Sequence, residues 1–191
     1  MDESGLVDLI QTRRANADTP IVVGISGYGG SGKSTLARRL VERIPGAYRL
    51  RGDDFLDPQR SHKRSSDWDG VERTRLVEEV LIPLKQRQQG AFRRYDWAAG
   101  RLGAPEPIPT ADVLVVDVVG LFHPEALGAI DLTVWCDVDL ATATERGIAR
   151  DAALGRNFEF LWRTVWVPNE SDFDKRFAPR EHAEALISPS H

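Results

Sequence analysis

The sequence predicts an α/β fold in which about five parallel strands form one sheet covered by helices on both faces. Three observations predict it. The apolar runs at residues 21–25, 113–116 and 132–136 are continuous rather than alternating, the pattern of strands buried on both faces. Segments of helical spacing alternate with these runs, as in a parallel sheet joined by crossovers. The residues best suited to chemistry fall just past the strands, where such sheets bind their ligands.

Each element follows in order along the chain. Residues 4–15 carry Leu6, Leu9 and Ile10 on one side and read as a short helix within an N-terminal stretch, 1–19, that ends before Pro20. Residues 21–25 form the first strand. Leu36, Leu40, Val41 and Ile44 then recur at helical spacing until Pro45-Gly46 stops the helix. Residues 47–50 make a second strand. Residues 57–70 are polar and lack apolar periodicity, which reads as a mobile loop. A helix is predicted over 71–89 from Leu76, Val80, Leu81 and Leu84, with Pro83 bending or interrupting it. Residues 100–109 read as an irregular connector. Strands at 113–116 and 132–136 follow, then a helix over 141–153 that opens a lid region, 141–157, and a last short strand at 185–187.

The 191 residues suit a single domain spanning 1–191. Twenty-five basic against 29 acidic residues leave a net charge of −4, so the overall field does not favour nucleic acid. No apolar run approaches the roughly 18 residues of a membrane helix. Cys136 has no partner for a disulfide and sits in an apolar run as a core residue, which fits a reducing, cytoplasmic setting. The four histidines lack metal-ligand spacing and receive no role. Homo-oligomerisation is compatible with the sequence.

Residues 27–34 read GYGGSGKS, a complete G-x-x-x-x-G-K-[ST] phosphate-binding loop between a strand and a helix. Glycines let successive backbone N–H groups converge on one anion, and the following helix adds the positive end of its dipole. The expected nucleotide contacts are Gly27, Tyr28, Gly29, Gly30, Ser31, Gly32, Lys33, Ser34 and Thr35. Lys33 is expected to reach the β- and γ-phosphates of a triphosphate and the Ser34 hydroxyl to ligate Mg²⁺. Asp117, after four apolar residues, is the corresponding strand-end carboxylate for Mg²⁺ or its water shell.

Asp53-Asp54-Phe55 follows the second strand, where a carboxylate either takes the proton of an acceptor hydroxyl or caps a turn. Arg146 and Arg150, four apart, share one helix face and either close over the phosphates or face solvent. Tyr95-Asp96-Trp97, preceded by Arg93-Arg94, either holds a substrate ring or sugar or anchors a connector to the core. Trp162 and Trp166 read as helix packing.

With the loop, Asp53-x-Phe55, Tyr95-Asp96-Trp97 and Arg146-x-x-x-Arg150-Asp151 in this order, the chain resembles the uridine kinase, phosphoribulokinase and pantothenate kinase group of P-loop kinases over about residues 21–187. The resemblance implies the doubly wound sheet of a P-loop NTPase fold with a small lid. It implies ATP and Mg²⁺ as cofactors, Asp53 rather than Asp54 as catalytic base, Lys33, Arg146 and Arg150 as further catalytic groups, and a substrate site that includes Asp53, Tyr95, Asp96 and Trp97. Departures are visible: Asp117-Val118 stands where uridine kinases usually carry Glu-Gly, Ala98-Ala99-Gly100 follows the aromatic motif in place of a histidine and an arginine, and Leu154 precedes Gly155-Arg156 where an arginine is usual. The function expected is transfer of the γ-phosphate of ATP to a hydroxyl of a nucleoside or similar small molecule. The alternative is an ATP-binding regulator with little transferase activity. No N-K-x-D motif for guanine is present.

Overall fold

The computed structural model describes residues 1–188, so His191, to which no role was assigned, lies outside the described residues. Helix α1 (Glu3–Ala15) precedes strand β1 (Ile21–Ser26), helix α2 (Lys33–Arg43) and strand β2 (Ala47–Arg51). A 3₁₀ turn at Gly52–Phe55 leads to the short helix α3 (Pro58–Ser61). Then come α4 (Arg73–Leu76) and α5 (Ile82–Lys85), joined by a π-helical turn at Val77–Leu81. Strands β3 (Ala91–Asp96), β4 (Arg101–Pro107) and β5 (Val113–Asp117), helix α6 (Pro124–Leu127), strand β6 (Leu132–Cys136) and helix α7 (Leu140–Ala153) follow. The chain closes with α8 (Glu159–Leu161), a π-helical turn at Trp162–Trp166, α9 (Val167–Phe177), a 3₁₀ turn at Pro179–His182 and strand β7 (Ala185–Ile187).

The five predicted strands form one sheet in the order β2-β5-β1-β6-β7, and every pairing in it is parallel. Strand alternation divides the core into two layers. Ile21, Val23, Ile25, Val113, Val115, Leu132 and Val134 face Leu6 and Ile10 of α1 and Leu36 and Leu40 of α2. Val22, Leu50, Leu114, Val116 and Trp135 face the opposite layer, which holds Phe55, Leu76, Val80, Phe92, Phe122 and Phe173. Each layer removes large aliphatic and aromatic side chains from water, each worth roughly 1.5–3 kcal/mol. Cys136 lies in the first layer, and burial pushes its thiol pKa up to about 12.

Three readings from sequence change. Residues 100–109 are not an irregular connector: β3 and β4 form an antiparallel hairpin with Tyr95 opposite Leu102 and Asp96 opposite Arg101. Little alternation marks it because β4 is largely exposed and β3 buries only Phe92, and Pro105 and Pro107 are tolerated on a strand with a free edge. Residues 57–70 contain α3, and their two ends are tied by the Asp57 N–H to the Gly70 carbonyl at 2.8 Å. The helical stretch read as 71–89 runs instead from Arg73 to Lys85. Its π turn lies ahead of Pro83, as the turn at Trp162–Trp166 lies ahead of Pro168. A proline cannot donate to the carbonyl four residues back and its ring crowds that carbonyl, so a widened turn there relieves the conflict without ending the helix.

Candidate active site

The C-terminal ends of β1, β2 and β5 open into a cavity of about 920 Å³. Its wall includes Gly29 to Thr35 of the loop, Asp53, Trp97, Asp117, Arg146 and Arg150. Gly27 and Tyr28 stand behind the loop, and Tyr95 and Asp96 are outside the wall.

Positive φ angles at Gly27 (147°), Gly30 (83°) and Gly32 (99°) bend the backbone of residues 27–34 into a cradle. Gly30 has a second constraint, because a β-carbon there would collide with the Ala143 carbonyl and the Gly147 amide of α7. The loop is therefore packed backbone to backbone against the predicted lid helix. Lys33 is buried, and its Nζ donates to the carbonyls of Gly27 (2.8 Å) and Tyr28 (2.7 Å). Burial lowers its pKa, while the negative charge of Glu170 opposes that shift.

Glu170, from α9, enters the same cradle although no sequence signal singled it out. Its Oε1 accepts the Gly29 N–H at 2.5 Å. Ser31 Oγ and Glu170 Oε2 are buried without a hydrogen-bond partner among the described residues. Burial raises the Glu170 pKa to about 7 against the pull of Lys33 and the Gly29 amide. The glycine cradle, with Ser31 Oγ unsatisfied beside it, fits the phosphates of a nucleotide.

The two aspartates after β2 have different surroundings. Asp54 is buried and accepts from Arg94 Nη1 at 2.6 Å, and Arg94 also reaches Glu106 (2.9 Å) and the Tyr48 hydroxyl (2.9 Å), so Asp54 ties the hairpin to the sheet. Asp53 is open to the cavity. The protein enclosing that cavity and the nearby Asp117 carboxylate hold its pKa above the usual carboxylate range, against the pull of Lys33 and Arg51.

Asp117 is buried at the end of β5 and is bound on both oxygens: Arg49 of β2 donates from Nε at 2.7 Å and from Nη2 at 2.8 Å. The hydrogen bonds to Asp117 raise the Arg49 pKa. Ser34 is exposed to the cavity, so its hydroxyl suits a metal ligand, whereas Asp117 is disposed to meet an ion through water rather than through a free oxygen. Among the described residues, no cluster of three or more His, Cys, Asp or Glu has metal-binding geometry of its own.

The lid region rests on one tryptophan. The Trp162 ring lies where β-carbons on Gly29 and Gly147 would have to sit, so it wedges between loop and α7. Its Nε1 donates to buried Asp151 at 2.9 Å, and Asp151 also accepts from Arg150 at 3.0 Å. Arg150 is thereby oriented at the cavity mouth with Arg146 one turn away. Trp162 and Trp166, predicted to be packing residues, also form cavity wall with His62 and Phe158, and ring centroids 5.1–5.9 Å apart link Trp162, Trp166, Phe158 and His62. In the aromatic motif, Trp97 faces the cavity and packs edge-on to Tyr95 at 4.9 Å. Asp96 instead caps the hairpin turn, accepting the N–H groups of Ala98 (3.0 Å) and Ala99 (2.9 Å).

Comparison with known proteins bears on the family and the fold. A family model described as an AAA domain matches residues 22–165. A uridine kinase of Ureaplasma urealyticum is 28% identical over 179 residues, covering 83% of this chain and 84% of that protein. The solved structure of a putative fructose transport system kinase from a Silicibacter species superposes with a TM-score of 0.76 at 19% identity, over 99% of this chain and all of the other. A possible uridine kinase from Bacillus stearothermophilus superposes with a TM-score of 0.70 at 16% identity, over 95% and 96% of the two chains. At those identities the structural likenesses establish the fold.

Proposed function

The chain belongs to the AAA-domain family, its relatives are P-loop kinases, and from this we propose that it transfers the γ-phosphate of ATP to a hydroxyl of a small molecule, a nucleoside or a similar metabolite. The observation that carries the reading is the meeting of the phosphate cradle, Asp53 and the Arg146-Arg150 pair around one cavity. The loop amides and Lys33 would hold the phosphates, with Ser34 on Mg²⁺ and Asp117 behind it through water. A metal so placed supplies neutralisation of phosphate charge.

The remaining steps belong to the chain. Asp53 takes the proton of the acceptor hydroxyl as the new oxygen–phosphorus bond forms and the bond to the β-phosphate oxygen breaks. Its raised pKa brings its basicity closer to what proton transfer near neutral pH needs. Arg146 and Arg150 stabilise the charge on the group in flight and, with the Trp162 wedge, exclude water that would otherwise compete with the acceptor. Trp97 and the aromatic wall offer flat apolar faces to a ring or sugar.

The test is ATP consumption against a panel of nucleosides, pentoses, sugar alcohols and vitamin precursors. Acceptor-dependent ADP release supports the reading and names the substrate class. The Arg49–Asp117 pair favours a second reading, an ATP-binding regulator, because it engages both oxygens of the carboxylate expected to meet the metal. Tight Mg-ATP binding with no turnover on any acceptor of the panel favours the regulator, or an acceptor outside the panel.

A further inference from the structure

We propose that Glu170 competes with phosphate for the loop, so that the nucleotide affinity of this protein is set by the displacement of its own carboxylate. The inference rests on the proposal that the loop binds a triphosphate. Glu170 is 4% exposed and projects from the first turn of α9 into the cradle wall. Its Oε1 holds the Gly29 N–H at 2.5 Å, a backbone donor of the loop that is thereby withheld from any phosphate oxygen. Its Oε2 is buried and unpartnered among the described residues. The nearest strong cation, Lys33, is turned onto the carbonyls of Gly27 and Tyr28.

Two anions cannot share one amide proton in an enclosed cradle without repulsion, and the local dielectric makes that repulsion stronger than at a surface. A phosphate oxygen approaching Gly29 must therefore move the carboxylate aside or neutralise it. The segment bearing Glu170 does not retreat freely, because neighbouring Asn169 is buried and cross-linked, donating to the Lys63 carbonyl at 2.8 Å and accepting the Ser65 N–H at 2.9 Å. The conflict thus falls on the side chain and on the π turn that precedes α9, a helical irregularity of the kind that shifts register at functional sites. A role confined to anchoring α9 would be served equally by a neutral acceptor, and the buried charge would then only add cost.

Calorimetric Kd values for ADP and Mg-ATP at pH 8, where the Glu170 carboxylate is ionised, with the wild type, Glu170→Gln and Glu170→Ala, separate the two roles. Glutamine keeps an acceptor for Gly29 without the charge, so the inference predicts about tenfold tighter binding in that variant, and tighter binding in the alanine protein too. Unchanged or weaker binding in Glu170→Gln overturns it while leaving nucleotide binding in place. Failure of all three proteins to bind either nucleotide overturns the proposed function and the inference with it. Hydrogen exchange of the wild type needs no variant to fold. Mg-ATP should protect amides of residues 27–34 while loosening those at the start of α9, and protection rising in both segments contradicts displacement.

Discussion

Asp53 and Asp54 are adjacent, carry the same functional group and have opposite destinies in the fold. The 3₁₀ turn after β2 sends Asp54 back onto Arg94 and leaves Asp53 to the cavity. Asp54→Asn should therefore weaken the tether between hairpin and sheet and appear as a lower Tm, with turnover changing less than stability. Arg49→Ala makes a different statement. Removing the guanidinium strands a buried carboxylate, so stability should fall by about 3 kcal/mol, measured by urea denaturation. A change under 1 kcal/mol would show that Asp117 finds water or another partner with ease. Sequence named Asp53, Asp117 and Lys33 because local motifs fix them. It missed Arg49 and Glu170, whose partners lie 68 and 141 residues away, a separation that leaves no local pattern.

Among the elements, α7 is the one whose position matters most for the proposed phosphate transfer. It touches the loop through two glycines, Gly30 on one side and Gly147 on the other, and Trp162 fills the remaining space. Gly147→Ala puts a methyl group into that ring and must push α7 or the π turn outward. The expected outcome is a drop in kcat of about tenfold or more from misplaced Arg146 and Arg150, larger than any change in nucleotide Kd. An unchanged kcat would show that the lid arginines do not act in the transferring step. The helical face bearing the two arginines was legible from their i, i+4 spacing. The wedge that orients them was not, since Trp162 and Trp166 carry the same spacing as ordinary helix packing. The β3-β4 hairpin escaped for a related reason: a strand exposed on both sides has no apolar alternation to read.

The whole molecule follows the logic legible in its three continuous apolar runs. Continuous hydrophobicity demanded cover on both faces, parallel strands demanded crossovers, and the reversal of strand order about β1 placed the loop at a crevice. The site adds an electrostatic cost to this fold. Glu170 titrates near 4.5 when solvated, but burial lifts it to about 7 in the folded protein. Between those values the unfolded chain has released its proton while the folded one retains it, so stability falls as pH rises through this window, by an amount of order 3 kcal/mol. The Glu170→Gln protein should gain several degrees of Tm on the wild type between pH 5 and pH 8. A Tm difference that stays flat with pH would mean the carboxylate is not held in the dry cradle described.

Asp53→Asn, followed by paired measurements of nucleotide Kd and acceptor-dependent ADP release, bears on the proposal that this cavity transfers phosphate. Asparagine keeps the size and polarity of the side chain but takes no proton, so turnover should fall by roughly 10²–10⁴-fold with Kd changing little. Turnover retained within a few fold of the wild type would remove Asp53 as the base and with it the mechanism derived from this site.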